Sequence, residues 1–159
     1  MKRGSTILLR GAVILIGLVV FALCVFVLPA VAKEMVDVMP VQYELLPILI
    51  VLAASTIPFY SALYQAWKLL NYIDINEAFS ELSVKVLKNI KRSGIAVGLL
   101  YMACSPFLFI VADGGDAPGI LAIGLVIIFA SIVIATLSAV LQKVLQDALD
   151  IKSENDLTV

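Results

Sequence analysis

The sequence predicts an all-α, polytopic membrane protein in which four hydrophobic helices form a small bundle. Of its 159 residues, 62% are hydrophobic and 14% are charged. Soluble domains contain about 45–50% apolar and about 25% charged residues, and a chain of this size could not hide the excess from water. Four apolar segments and their loops use nearly the whole length, so we expect one membrane domain over residues 1–159.

The four segments are each long enough to cross about 30 Å of hydrocarbon as a helix that rises about 1.5 Å per residue. None of them contains Asp, Glu, Lys or Arg, and none shows the alternation of an outer-membrane β-barrel strand. The predicted spans are approximately residues 11–31, 45–67, 95–112 and 120–141, with a loop over 68–94 and a tail over 142–159.

The first segment imitates a secretory signal. Lys2 and Arg3 precede it, and Ala30-Val31-Ala32 resembles a cleavage site. Its apolar run is longer than the usual signal core of about 7–15 residues. We therefore expect an uncleaved span.

The basic residues predict the orientation of the spans. Of the 11 Lys and Arg residues, only Lys33 lies in the first or third loop. Since basic residues flank spans on the cytoplasmic side, both termini and the middle loop are expected to be cytoplasmic. Tyr60, Tyr64 and Trp67 then fall at the inner headgroup level, where amphipathic rings prefer to sit.

Small residues at helical spacing predict where the spans pack against each other. Helices in lipid associate through close backbone contact and side-chain hydrogen bonds. Gly94 and Gly98 form a G-x-x-x-G at the start of the third span, and Ser131, Ala135 and Ala139 lie four apart on the fourth. The same residues suit either the bundle or a homo-oligomer.

The middle loop has the pattern of a basic amphipathic helix. Ser80 suits an N-cap, and Glu81 suits the first turn. Four apolar residues share one face, and four basic residues lie roughly opposite: Phe79, Leu82, Val86 and Ile90, then Lys85, Lys88, Lys91 and Arg92. Such a helix fits the anionic lipid of the inner leaflet. It either rests on the membrane and leads into the third span, or docks a cytoplasmic protein.

The tail is expected to continue the fourth span as a helix. Its last six residues, Glu154 to Val159, change to an acidic sequence that ends in Leu-Thr-Val. A free terminus is usually disordered. A segment of this kind can instead add a strand to a partner's sheet or seat its carboxylate in backbone amides.

The side-chain inventory offers no catalytic, cofactor-binding or metal-binding residues. There is no His, and Cys24 and Cys104 stand in apolar runs without ligand-type spacing, so both are expected to be small packing residues. The Asp113-Gly114-Gly115-Asp116 segment has too few oxygens for Ca²⁺ and is better explained as a solvated turn. An intramembrane enzyme would need a nucleophile–base pair or a metal site. We therefore expect a protein that is not an enzyme and has no cofactor.

Two segments resemble a known family of bacterial membrane proteins, the domain of unknown function 2975. They are NEAFSELSVKVLKNIKRSG, residues 76–94, and SENDLTV, residues 153–159. The positions that match the family pattern are Phe79, Ser80, Leu87, Ile90, Asn155, Asp156, Leu157, Thr158 and Val159. The resemblance implies a four-span protein of the bacterial cytoplasmic (inner) membrane. Genes of this family frequently lie beside one for a small helix-turn-helix regulator of the Xre/Cro type.

These observations lead to one hypothesis and one alternative. The hypothesis is a membrane anchor or signalling partner, without direct nucleic-acid binding, that binds a cytoplasmic protein such as that helix-turn-helix regulator. The docking surface would be the Phe79–Ile90 face, with Leu82, Val86 and Leu87, together with the Asn155–Val159 tail. The alternative is a small transporter, a channel component or an immunity-type protein against a membrane-active agent. It would use the polar strip Ser55–Gln65 and kinks at Pro58 and Pro106.

Overall fold

The computed structural model describes residues 3–37, 42–114 and 118–158, and its elements are four α-helices. They are α1 (Arg3–Asp37), α2 (Gln42–Asp74), α3 (Glu81–Gly114) and α4 (Pro118–Thr158). Each contains a segment that is long and apolar enough to cross a membrane. The all-α class with four candidate spans is therefore confirmed.

The helices form an open row in which each packs against its neighbour in sequence. α1 contacts α2, α2 contacts α3, and α3 contacts α4, and the described residues form no other helix pair. α3 is flanked on both sides and holds ten buried residues, whereas Thr6 is the one buried residue among the described side chains of α1. Large side chains such as Phe26, which is 73% exposed, remain on the outside. An open row with exposed apolar side chains is stable in a membrane, because lipid solvates apolar side chains as well as a protein core does.

Within the apolar part of the row, polar side chains join α1 to α2 at two levels. The Tyr60 hydroxyl donates to the Gly17 carbonyl at 2.9 Å, and the Cys24 sulfur lies 3.8 Å from the Thr56 hydroxyl. An added Cβ at Gly17 would meet Leu63 at 3.4 Å, so the glycine lets the two helices approach closely. Cys24 is half-buried at this contact, and Cys104 is buried on α3.

The connection between α2 and α3 is a short capped turn. Asn76 adopts φ 60°, and its amide donates to the Ile73 carbonyl at 3.2 Å. The Glu77 amide donates to the backbone carbonyl of Tyr72 at 2.7 Å. This is a Schellman cap, which satisfies carbonyls at the end of α2. The Ser80 hydroxyl then accepts from the Ser83 amide at 3.4 Å, which confirms Ser80 as the N-cap of α3.

The amphipathic helix expected between the second and third spans is not a separate element in the described part of the chain. Its residues are the first turns of α3, which runs without a break from Glu81 to Gly114. The reason is local: no Pro interrupts residues 81–105, and Gly94 alone does not end a helix that is packed along its length. The predicted loop over 68–94 is thus largely helical, with its turn at 75–80.

Substituting Asn76 tests the capped turn. We expect Asn76→Gly to preserve stability, because glycine adopts positive φ readily. Asn76→Val should lower the free energy of unfolding by about 1–2 kcal/mol, because a β-branched residue is disfavoured in the left-handed region. Denaturant unfolding of both variants in detergent measures the difference. Equal stability of the two variants would contradict the capping role.

Candidate functional site

The basic side chains gather at one end of the row, where α1 and α3 begin and α2 and α4 end. We call this the basic end. The lysines and arginines there whose side chains the structure describes are Arg10, Lys68, Lys85, Lys88, Lys91, Arg92, Lys143 and Lys152. Lys33 lies near the opposite end, in the last turns of α1.

At the basic end, α3 and α4 extend well beyond the length that crosses the hydrocarbon, and α4 extends furthest. That helix has 41 residues, or about 60 Å at 1.5 Å per residue, which is about twice the thickness of the hydrocarbon. α3 has 34 residues and also begins well before its apolar run. The ends of these two helices, with the two residues that precede α3, form what we call the α3–α4 projection. It consists of residues 79–90 and 142–158.

Small residues let α3 and α4 approach closely at the base of the projection. An added Cβ at Gly94 would lie 3.3 Å from the Ser131 carbonyl oxygen and 3.4 Å from the amide nitrogen and the Cβ of Ala135. An added Cβ at Gly98 would lie 3.5 Å from the Ser131 Cβ. The structure thus brings together four of the five residues expected to pack helices, and Ala139 is half-buried one turn further along α4.

The apolar residues expected to bind a partner divide into two groups. Phe79 and Leu82 are 67% and 49% exposed. Val86 and Leu87 are only 4% and 3% exposed, because they pack inside the row, and Ile90 is half-buried. Ser80 is engaged in the capped turn, where its hydroxyl donates to the Glu77 carbonyl at 2.7 Å. The accessible part of this face is therefore Phe79 and Leu82.

The tail is an exposed helix rather than an extended strand. Every described residue from Asp150 to Thr158 is exposed, including Asn155 and Asp156, and Leu157 is 85% exposed. The Thr158 hydroxyl donates to the Glu154 and Asn155 carbonyls at 3.0 Å. Adding a strand to a partner's sheet would require this helix to unwind first. Val159 lies outside the described residues.

The basic residues of α3 face away from the buried side of the helix. Lys85, Lys88 and Arg92 are exposed, whereas Lys91 is half-buried. They stand on the same turns as the buried residues Val86 and Leu87, so this part of α3 is amphipathic although it is not a separate element. Its charged side is free to meet anionic headgroups.

A cluster that sequence reasoning missed ties α1 to α2 at the basic end. An amine of the Arg10 guanidinium donates to the Asn71 side-chain carbonyl and to an Asp74 carboxylate oxygen, the latter at 2.6 Å. The guanidinium also lies 5.1 Å from the centre of the Trp67 ring. From the sequence, Arg10 is only one of the basic residues that flank the first span. The signal for the cluster was the i, i+4, i+7 spacing of Trp67, Asn71 and Asp74, which places them on one helix face.

The polar strip of α2 is largely satisfied within the row. The Ser55 and Thr56 hydroxyls donate to the Leu52 carbonyl at 2.9 and 3.1 Å. Ser55 also lies 3.4 Å from the Tyr101 hydroxyl of α3. Such bonds within and between helices stabilise packing in lipid. The geometry therefore does not favour a polar pathway along this strip, and Ser61 and Gln65 lie nearer the basic end.

The described residues, 3–37, 42–114 and 118–158, contain no metal-binding cluster. No three or more Cys, Asp or Glu side chains lie close enough together there to hold a metal ion. The predicted turn at Asp113–Asp116 lies partly outside the described residues. Asp113 and Gly114 end α3 and are exposed.

Comparison with known proteins places the chain among uncharacterised membrane proteins. The family described as "Protein of unknown function (DUF2975)" matches residues 30–159. The chain is similar to the "Uncharacterized membrane protein YoaS" of Bacillus subtilis (strain 168). The two are 54% identical over 160 residues, which is 100% of each chain. No solved structure matches.

Proposed function

The chain belongs to the membrane protein family described as Protein of unknown function (DUF2975), and from that premise we propose that it is a non-enzymatic membrane anchor for a cytoplasmic protein. The apolar parts of the four helices hold the anchor in the bilayer, and the α3–α4 projection carries the docking surface. The partner we propose is a small helix-turn-helix transcription regulator, which would be sequestered at the membrane or controlled there.

The observation that carries this proposal is the exposure of large apolar side chains on the projection, beyond the apolar spans. Phe79 and Leu157 are 67% and 85% exposed. Phe79 lies 16 residues before Ile95, where the third predicted span begins, and Leu157 lies 16 residues after Leu141, where the fourth ends. For Leu157, which continues the helix of α4, this is more than about 20 Å along the helix axis. Exposed apolar residues inside the spans are covered by lipid tails. On the projection, we expect a protein partner to cover them in the same way.

The charge pattern supports both the orientation and the kind of partner. Of the 11 Lys and Arg residues, all but Lys33 belong to the sequence segments predicted to be cytoplasmic, so we expect the basic end to face the cytoplasm of a multi-pass chain in the inner membrane. The tail adds Glu154 and Asp156 around Leu157. A DNA-binding protein carries a basic surface, and an acidic tail with an apolar anchor is complementary to it.

The proposal is tested by measuring how much of the regulator is recruited to the membrane. We expect the double variant Phe79→Ala and Leu157→Ala to move most of the regulator from the membrane fraction to the soluble fraction, because anchor residues dominate binding energy. The matched control is Phe26→Ala, which truncates a side chain that is 73% exposed within the first span.

The control should leave the distribution of the regulator unchanged, and target transcription should follow the distribution. Removing residues 151–159 should have the same effect as the double variant. If localisation and transcription are unchanged in all of these variants, the docking proposal is wrong.

A further inference from the structure

A groove runs along the α3–α4 seam from the basic end into the apolar part of the row. Its volume is about 780 Å³, which lies within the range of about 300–1,000 Å³ that is usual for small-molecule sites. Gly94, Gly98 and Ala135 form its floor, and the larger side chains of Leu99, Met102 and Val140 form its walls. It has this shape because the small residues that let the helices approach also leave a depression above them.

The groove is almost wholly apolar along its length but has a charged mouth. Lys91 and Lys143 both line it, and both stand just outside the apolar runs, four residues before Ile95 and two after Leu141. Asp147 lines the groove one turn further out. Within the described chain, no carboxylate oxygen lies within 4.0 Å of the ammonium group of either lysine.

We propose that this groove binds one anionic phospholipid, with an acyl chain along the seam and the phosphate between the ammonium groups of Lys91 and Lys143. Its apolar length suits a hydrocarbon chain, which lies parallel to the helices in the same leaflet. Two lysines at the edge of the hydrocarbon attract a negative headgroup. The inference is independent of the docking function, because the site uses neither Phe79 nor Leu157.

A second copy of the chain fits the groove less well than a lipid. Gly94 already faces Ser131 and Ala135 within one molecule, so its small surface is used by the α3–α4 contact. A two-fold dimer through this face would also bring Lys91 and Lys143 of both copies to the same depth. Like charges at one interface are repulsive. An anionic lipid neutralises the positive charge of the two lysines, whereas a dimer brings more positive charge to the same place.

Native mass spectrometry of the full chain in mild detergent tests the site. The probes are phosphatidylglycerol and phosphatidylcholine with identical acyl chains, added in equal amounts. We expect one phosphatidylglycerol per chain, in preference to phosphatidylcholine. The double variant Lys91→Gln and Lys143→Gln should lower its affinity roughly 30-fold, on the basis of about fivefold for each lysine near an anionic headgroup.

Two matched controls distinguish binding in the groove from the effect of losing positive charge anywhere and from the effect of adding a large side chain anywhere. Lys85→Gln with Lys88→Gln removes the same charge from exposed positions outside the groove and should leave affinity nearly unchanged. Thr136→Phe, which fills the groove, should reduce binding, whereas Ile134→Phe on the exposed surface beside it should not.

Three results would overturn the proposal. The first is equal retention of the two lipids by the unsubstituted chain. The second is an equal loss of phosphatidylglycerol from the Lys85/Lys88 variant. The third is a dimer that excludes lipid and that Thr136→Phe dissociates.

Discussion

Replacing Gly94 with leucine is expected to force α3 away from α4 and to lower the free energy of unfolding by about 2–4 kcal/mol. An added Cβ at Gly94 already lies 3.3 Å from the Ser131 carbonyl oxygen, so a larger side chain meets backbone rather than a movable side-chain end. The base of the projection would open, and Val86 and Leu87 would lose their burial.

A thiol-reactive dye measures this effect in a Cys24→Ser background, because Cys104 is 3% exposed and becomes reactive only as the row opens. The melting temperature should fall by roughly 5–10 °C. The matched control is Gly11→Leu, since an added Cβ at Gly11 meets nothing within 4 Å. The control should melt at or above the original temperature, because glycine weakens a helix. Indistinguishable melting of the two variants would refute the close α3–α4 contact.

Removing the Arg10 side chain is expected to release α1 from α2. Arg10→Ala loses the bonds to Asn71 and Asp74 and the contact with the Trp67 ring together. We expect unfolding to become easier by about 2–3 kcal/mol. The side chains of Arg10 and Asp74 are 29% and 31% exposed, so their direct coupling should be smaller, about 1 kcal/mol.

Fluorescence of Trp67, the single tryptophan, follows the separation of these helices directly during a denaturant titration. A cycle of Arg10→Ala, Asp74→Ala and the double variant isolates the coupling. Arg92→Ala, which removes an exposed arginine at the same end, serves as the control. If Arg10→Ala is no more harmful than Arg92→Ala, the cluster does not hold α1 in place.

The helices themselves were predictable because hydrophobic runs without charge leave no other structure in lipid. The N-cap at Ser80 was predictable because capping depends on local residue type. The ends of the helices were harder to predict. A hydropathy pattern marks where lipid begins near Ile95, whereas α3 begins at Glu81, since helix formation continues through polar residues that favour it.

Packing in the row was predictable only where small residues mark it. Gly94 and Ser131 are recognisable because closely packed spans need small side chains. The choice of neighbouring helices was not predictable, because the same apolar residue types face protein and face lipid. Leu8 on α1, for example, is 76% exposed. The Arg10–Asp74 pair joins residues 64 apart in sequence. The spacing of Trp67, Asn71 and Asp74 marks one face of α2 but does not identify Arg10 as its partner. Likewise, composition at the tail suggested disorder or a strand, whereas the helix of α4 continues through it.

The docking surface itself is the central claim, and photocrosslinking in intact cells tests it most directly. A photoreactive residue is placed separately at Phe79, at Leu157 and, as the lipid-facing control, at Phe26, and the captured molecules are identified by mass spectrometry. We predict that Phe79 and Leu157 capture the same small cytoplasmic DNA-binding protein and that Phe26 does not. Capture of only lipid or this chain itself from Phe79 and Leu157 would contradict the account, because the projection would then be internal structure of the membrane domain.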